Sequence, residues 1–257
     1  FSLIILMSLN GCSSSDPISV DQFRGNPIEG ELTGVLTLAG SPYLVVDTLR
    51  VLANETLVIE AGVEIRFDLL FEAGVERALP FEVYGTLKAI GTPEAPITFT
   101  SGRRIPDSGD WDGIWIYNAT ESTQFEYCRF LYGAKWGRRY NYSIDRNGQI
   151  DSTLFDYGMI TLFNSSPTIK KSWFLAGGFH GLHCDLNSNP IVESSVFFDN
   201  AGNGIYVQWT ANPVLRYNII SENRDYGVFC RQPLNSIEPR DDLLLDYNII
   251  WDNFSVD

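Results

Sequence analysis

The sequence predicts an all-β chain wound as a right-handed parallel β-helix, with about 23 residues per coil and three short strands in each coil. Three observations carry this. First, Pro167, Pro190 and Pro213 are spaced by 23 and 23, and the segments they open, "PTIKKSWFLAGGFHGLHCD", "PIVESSVFFDNAGNGIYVQ" and "PVLRYNIISENRDYGVFCR", superpose without gaps. Second, apolar residues recur down the columns: Ile169, Val192 and Leu215; Trp173, Val196 and Ile219; Leu182, Ile205 and Val228; Cys184, Val207 and Cys230. Within a segment they alternate with polar or variable residues at period two, as strands with one buried face do. Third, a period of this size cannot close as a sandwich, yet it lets each strand pair in parallel with its equivalent one coil on, about 4.8 Å away.

The elements follow in order along the chain. "FSLIILMSLNGCSSSD" is an apolar run too short to span a bilayer, followed by small residues and a serine-rich stretch, the layout of a secretory signal. Leu9, Asn10, Gly11 and Cys12 resemble the bacterial lipobox, which implies that residues 1–12 are a signal peptide with its basic start missing and that Cys12 carries the lipid. Residues 13–40 are expected to form a tether and an N-terminal cap, and residues 41–257 the β-helix. "FEYCRF" at 125–130, "IDSTLF" at 150–155 and "LDYNII" at 245–250 match "IKKSWF" at 169–174, giving steps of 25, 19, 23, 23 and 30 residues. Asn200, Asn223 and Asn253 fall at the turn after the second strand, where stacked amides are expected to bond from coil to coil, each worth about 1 kcal/mol. Gly181, Gly204 and Gly227 open the third strand. The chain starts at Phe1 without a methionine and stops at "WDNFSVD" inside the pattern, so both ends are expected to be truncated, with further coils or a cap beyond.

Composition bounds the function. With 18 Lys+Arg against 32 Asp+Glu, the formal net charge of −14 repels nucleic acid, which is not expected as a partner. No later apolar run is long enough to cross a membrane, so the membrane is expected to be touched only through the lipid.

"GFHGLHCD" at 178–185 places His180, His183, Cys184 and Asp185 together and invites an active-site reading. The alternation argues against it. Leu182 and Cys184 point into the coil, so His183 and Asp185 point out, and the thiol and imidazole of a Cys–His pair sit on opposite faces. The two histidines then read as ordinary surface residues. Cys184 and Cys230 lie two coils apart, about 9–10 Å, too far for a disulfide. They are expected to be free and buried, with Cys128 a small core residue of an earlier coil.

If Gly113, Gly133, Gly158, Gly181, Gly204 and Gly227 open successive third strands, the outward line reads Trp115, Lys135, Ile160, His183, Tyr206 and Phe229. A neighbouring line gives Tyr117, Asp185, Gln208 and Arg231. Aromatic side chains in register, beside charged groups, make a platform for sugar rings or for another chain, or a lateral stack that only stabilises the sheet. Insertions at 137–149 and 231–242 are expected to leave the end of the third strand and to flank this face. The first carries Arg138, Arg139 and Arg146, with Lys135 nearby and with Tyr140 and Tyr142: a basic island suited to an acidic polysaccharide, or a merely solubilising loop.

"SPYLVV", "TLVIEAGVEIRF", "VYGTLKAIGT", "APITFTS" and "GDWDGIWI" resemble the opening coils of exported bacterial right-handed β-helix proteins of the pectate-lyase-like superfamily, over residues 41–257. The resemblance implies the fold; its members include lyases, hydrolases, epimerases, tailspikes, metal-delivery proteins and adhesins, so it does not fix an activity. "HGLHC" at 180–184 resembles the His-Gly-(Ile/Leu) strand start of β-helical polygalacturonases. The paired aspartates of that pattern are missing where "DYGMI" stands at 156–160, and no Arg-x-Lys follows, so hydrolysis lacks its donor and its base. The expected function is non-catalytic binding of a glycan or surface partner by a monomeric, lipid-anchored protein facing the periplasm or displayed at the cell surface. No cofactor or metal is expected. The alternative is a lyase, hydrolase or epimerase acting on an acidic polysaccharide, where a lyase would bring calcium. A metal-handling β-helix using His183 and a plain spacer are further readings.

Overall fold

A computed structural model describes residues 25–72, 75–119, 122–135, 139–144, 150–155, 157–231 and 243–253, with 71, 72, 75, 139–144 and 150–155 described as backbone only. The chain is a right-handed parallel β-helix. First strands stack in the order Gly34–Leu36, Thr56–Ile59, Thr86–Ile90, Gln124–Glu126, Thr168–Lys170, Ile191–Glu193, Val214–Arg216 and Leu244–Asp246. Second strands run from Glu64–Phe67 through Ile97–Ser101, Cys128–Leu131, Trp173–Leu175, Val196–Phe198 and Ile219–Ser221 to Ile249–Trp251. Third strands run from Pro80–Val83 through Gly113–Tyr117, Gly158–Phe163, His180–Asp185 and Ile205–Gln208 to Val228–Arg231. The strand Tyr43–Val51 joins the second and third series, pairing with one through Tyr43 and with the other through Leu49. Parallel pairing starts earlier than residue 41: Asn26–Glu31 lies beside Tyr43–Val51, and Gly34–Leu36 beside Thr56–Ile59.

On the third strands the alternation works as the sequence predicts. On the second strands the frame is reversed: Trp173, Val196 and Ile219, expected to face inward, point outward, and Phe174, Phe197 and Ile220 fill the core. Apolar residues stand at both parities there, and alternation alone does not choose between them. On the third strands, Ile114, Ile160, Leu182 and Ile205 are in register and fully buried, as are Ile116, Leu162, Cys184 and Val207. Phe99, Phe130, Phe174 and Phe197 form a continuous internal stack with centroid spacings of 5.1, 4.7 and 4.5 Å. Coil-to-coil packing of this kind buries one large side chain per coil against its copies above and below.

Three corners turn each coil, and each uses residues in the left-handed region, as at Ala176, Asp199, Glu222 and Asp252 after the second strand and Asn118, Asn164 and Trp209 after the third. Between first and second strands the left-handed residues are Tyr127, Lys171, Ser194, Tyr217 and Tyr247, with φ of 50, 47, 52, 55 and 50°. Such a conformation is unfavourable for a bulky L-residue. It is held because lateral backbone bonds continue through the corner, as from Ser194 N–H to Arg216 C=O (3.0 Å) and from Tyr217 N–H to Asp246 C=O (3.0 Å). At the corner after the second strand, the residue that follows the left-handed one supplies a side-chain ladder. Gly177, Asn200 and Asn223 donate backbone N–H to Oδ1 of Asn200, Asn223 and Asn253 (3.0, 3.2 and 3.1 Å), the ladder the sequence predicts. A second ladder was not foreseen: Cys128, Ser172, Ser195 and Asn218 donate N–H to Ser172 Oγ, Ser195 Oγ, Asn218 Oδ1 and Asn248 Oδ1.

Three further expectations need correction. "IDSTLF" at 150–155 is no coil: Ile150–Phe155 pairs antiparallel with Arg139–Ile144 in a hairpin, while Cys128–Leu131 pairs directly with Trp173–Leu175. The supposed steps of 25 and 19 are one coil with an insertion. That insertion sits between the second strand and the third strand Gly158–Phe163, not after a third strand. The other one, at 232–242, follows Val228–Arg231, so the two do not leave one edge. Lastly, Cys128 and Cys184 are free and buried as expected, and Val207 separates Cys184 from Cys230, but Cys230 is exposed.

Candidate functional site

The third-strand face is where the sequence places its candidates, and its outward side chains form two lines. The inner line follows the pairing Arg50, Glu82, Trp115, Thr161, His183, Tyr206 and Phe229. Lys135 and Ile160 are not in it. Gly133 belongs to the corner after the second strand, like Gly177, and Lys135 beyond it reaches toward Glu76 (3.7 Å). Gly158 pairs with His180 instead of Gly181, which moves the frame by one, turns Ile160 into the core and brings Thr161 to the outside. Glycine is required at 158 because a Cβ there would come within 2.8 Å of the His183 backbone nitrogen.

The larger correction concerns burial. Trp115 is 6 % exposed, Tyr206 3 % and His183 0 %, and Thr161, His180 and Asp185 are buried with them, so the inner line is no open platform. The histidines are not surface residues. Period two tells which side of a sheet a side chain leaves from, but not whether that side is covered. Trp115 stacks on Tyr157 (4.9 Å), and His180 lies between Phe179 (3.9 Å) and Tyr206 (4.7 Å), with His183 edge-on to Tyr206 (4.9 Å). Phe229 stacks on Tyr206 (5.5 Å) and remains partly exposed.

The chemistry of the two imidazoles is restricted by this packing. The Asn203 backbone N–H donates to His180 Nδ1 (2.9 Å), and the Tyr226 N–H donates to Asn203 Oδ1 (3.0 Å), so His180 is the first member of a further lateral ladder. With Nδ1 accepting, the neutral ring carries its proton on Nε2, which is buried and has no acceptor among the described residues. Burial, and then the neighbouring His183, hold the His180 imidazole well below its usual value. With its Nδ1 lone pair taken by the ladder and its Nε2 buried, His180 offers a metal no open nitrogen, and as a neutral ring it is a poor general acid. Among the described residues, no three His, Cys, Asp or Glu side chains group as a metal site.

The outer line starts at Tyr84, which stacks on Tyr117 (4.9 Å), which stacks on Phe163 (5.0 Å). Phe163 pairs with Asp185, and Gln208 with Arg231. Tyr84, Tyr117, Phe163 and Gln208 are partly or well exposed and Arg231 is exposed, while Asp185 is sunk between its neighbours. Burial pushes the Asp185 carboxyl up to about 6, against the pull of the Leu186 N–H that donates to its Oδ1 (2.7 Å). The frame slip at Gly158 hides Phe163 from the sequence reading, and Tyr84 was missed although "FEVYG" has the same outward alternation.

Of the remaining candidates, two are described through their backbone only. Arg139 and Tyr140 lie on the hairpin strand Arg139–Ile144, opposite Phe155 and Leu154. Arg138, Arg146 and Asp156, like Cys12, are outside the described residues. Asp110, a buried carboxylate elsewhere, is fully engaged by Ser101 Oγ (2.7 Å), Arg103 (2.9 Å) and the Asp107 N–H (2.8 Å), which makes it a loop anchor.

Comparison with known families gives two matches: the right-handed β-helix region over residues 107–237, and the pectate-lyase-like β-helix domain over residues 30–135. The chain belongs to the right-handed β-helix family. The two matches meet at 107–135, around the Gly113–Tyr117 strand and the coil that carries the hairpin insertion. Comparisons with curated proteins and with solved structures give no match. Membership accounts for the winding of the chain and leaves the activity open, since function in such folds is set by the side chains of a face.

Proposed function

We propose that this β-helix holds a glycan without cleaving it, along the outer line of the third-strand face, and that it is exported and anchored by a lipid on Cys12. The observation that supports this is the outer line itself: Tyr84, Tyr117, Phe163, Gln208 and Arg231 stand one per coil, in register and accessible, beside a buried inner line. The rings cover one another's faces, so they offer edges and the Tyr84 and Tyr117 hydroxyls. Such edges suit hydrogen bonding to sugar hydroxyls more than flat stacking. The coil rise of about 4.8 Å is close to the length of one hexose, so a polysaccharide laid along the axis meets a fresh set of groups at each unit.

The enzymatic alternative has one group in its favour, the raised carboxyl of Asp185. Its neighbours along the outer line are Phe163 and Gln208, and those of His183 are Thr161 and Tyr206. A second carboxylate opposite Asp185 is what hydrolysis would need.

The test is retardation of the soluble chain from Ser13 onward in native gels containing neutral or uronic-acid polysaccharides. Retardation by one polymer, lost in Tyr84→Ala/Tyr117→Ala, supports the outer line. Retardation that survives this change and disappears only with Arg138→Ala/Arg139→Ala would move the site to the insertion. Release of new reducing ends or unsaturated sugars would replace binding by catalysis.

A further inference from the structure

A different face carries a second surface. We propose that the outer side of the four second strands Trp173–Leu175, Val196–Phe198, Ile219–Ser221 and Ile249–Trp251 docks a short protein segment that is apolar on one side and basic along one flank. This does not depend on the glycan reading.

The outward residues of these strands, in register, are Trp173, Val196, Ile219 and Ile249 in one line and Leu175, Phe198, Ser221 and Trp251 in the next. Seven of the eight are large and apolar. All are at least partly exposed except Ser221, and Ile249 is 59 % exposed. The core does not need them, because Phe174, Phe197 and Ile220 fill the inside from the same strands. Nor is an apolar exterior general to this series. In the earlier coils the corresponding positions are Glu64 and Arg66, Thr98 and Thr100, and Arg129 and Leu131. The change begins with Leu131 on the second line and reaches both lines from Trp173, whose ring lies under the Arg129 guanidinium (5.8 Å).

Beside the second line runs the left-handed corner Asp199, Glu222 and Asp252, with φ of 51, 55 and 48°. Three carboxylates therefore follow one another at about 4.8 Å intervals. Among the described residues none of them forms an ion pair. Elsewhere the chain neutralises such a line: on the first-strand face Glu126, Lys170, Glu193, Arg216 and Asp246 alternate in sign from coil to coil, with Lys170 and Glu193 at 3.0 Å. Among the described residues the corner is thus an acidic rim without ion pairs along an apolar strip, and its complement is apolar with a basic edge.

Size and charge select the occupant. Four strands of three residues cover about 19 by 10 Å, roughly 200 Å². A stable dimer buries about 800 Å² on each partner, so the strip fits a short segment and not a second copy. A second copy would also bring its own acidic rim and a net charge of −14.

The experiment uses the full chain and two synthetic twelve-residue amphipathic peptides, both with leucine on one side, one flanked by lysine and the other by glutamate. Binding is followed by fluorescence anisotropy. The lysine peptide is expected to bind about tenfold or more tightly than the glutamate peptide, and Phe198→Ser to weaken it by about tenfold. Asp199→Lys/Glu222→Lys is expected to reverse the preference; Lys171 already occupies a left-handed corner position, so the backbone accepts lysine. Glu29→Lys/Glu31→Lys makes the same change in net charge on a distant strand and is expected to leave binding unchanged. Equal effects of the two charge reversals, or indifference to Phe198→Ser, would reduce the binding to net charge and overturn the proposal. Self-association in sedimentation, abolished by Phe198→Ser, would assign the strip to a second copy instead.

Discussion

His180 shows how one side chain is read differently in sequence and in space. Beside His183 and Asp185 it looks catalytic; on a strand with period two it looks like surface; in the fold it is buried and bonded through Nδ1 to the next coil. Its low proton affinity has a consequence for stability. The folded protein keeps the ring neutral while the unfolded chain takes up a proton below about 6.5, so the contribution of His180 is present above that pH and is lost as the pH falls toward the folded value. Asp185 acts in the opposite sense: with its carboxyl raised to about 6, the folded state takes the proton first, and acidification from about 6 to 4 adds stability. His180→Asn keeps an acceptor in the ladder, as Asn203 does one coil on, and removes the titration. The expected outcome is a flatter fall in melting temperature between pH 6.5 and 5 than in the parent; an unchanged fall would mean that His180 does not titrate on unfolding. Tyr84 and Phe163 show the converse problem. Both are outward aromatics that the alternation allows, but only the pairing of Gly158 with His180 puts Phe163 in line with Tyr117.

At the scale of strands and corners, most of what was legible came from the 23-residue period. It gave the three strands, the inward line through Leu182, Cys184 and Val207, and the Asn200 ladder. Asn200 is fully buried; its Nδ2 donates to Phe174 C=O (3.2 Å) and to Asn223 Oδ1 (2.7 Å), and its Oδ1 accepts from Gly177. Asn200→Ala strands a buried N–H and a carbonyl, so a loss of about 3 kcal/mol is expected in urea unfolding. A loss under about 1 kcal/mol would mean that water replaces the amide. The Ser172–Ser195–Asn218 ladder escaped notice because serine and asparagine share no single-letter column, although both place an acceptor at the same point. Phe174→Ala tests the internal stack: removal of a ring between Phe130 and Phe197 is expected to cost about 3–5 kcal/mol. The hairpin at 139–155 was misread for a physical reason. "IDSTLF" has the alternation of a second strand, and alternation does not reveal the direction of the partner.

Over the whole molecule, the period predicts the axis and the registry of the faces, while the accessible surface depends on what lies over each face. The inner third-strand line is covered from Trp115 to Tyr206, the outer line is accessible except at Asp185, and the second-strand face is apolar on both lines only from Trp173 onward. Each coil adds one step of about 4.8 Å, so any ligand that follows the axis is read in units. The most direct test of the proposed glycan line is calorimetric titration with oligosaccharides of increasing length, taken from the polymer that retards the protein in gels. The account predicts that affinity rises with each sugar up to the span of the line and that Tyr117→Ala, in its middle, lowers the gain per unit. Affinity that is already maximal for a disaccharide, or that is indifferent to Tyr117→Ala, would contradict it and place the glycan elsewhere.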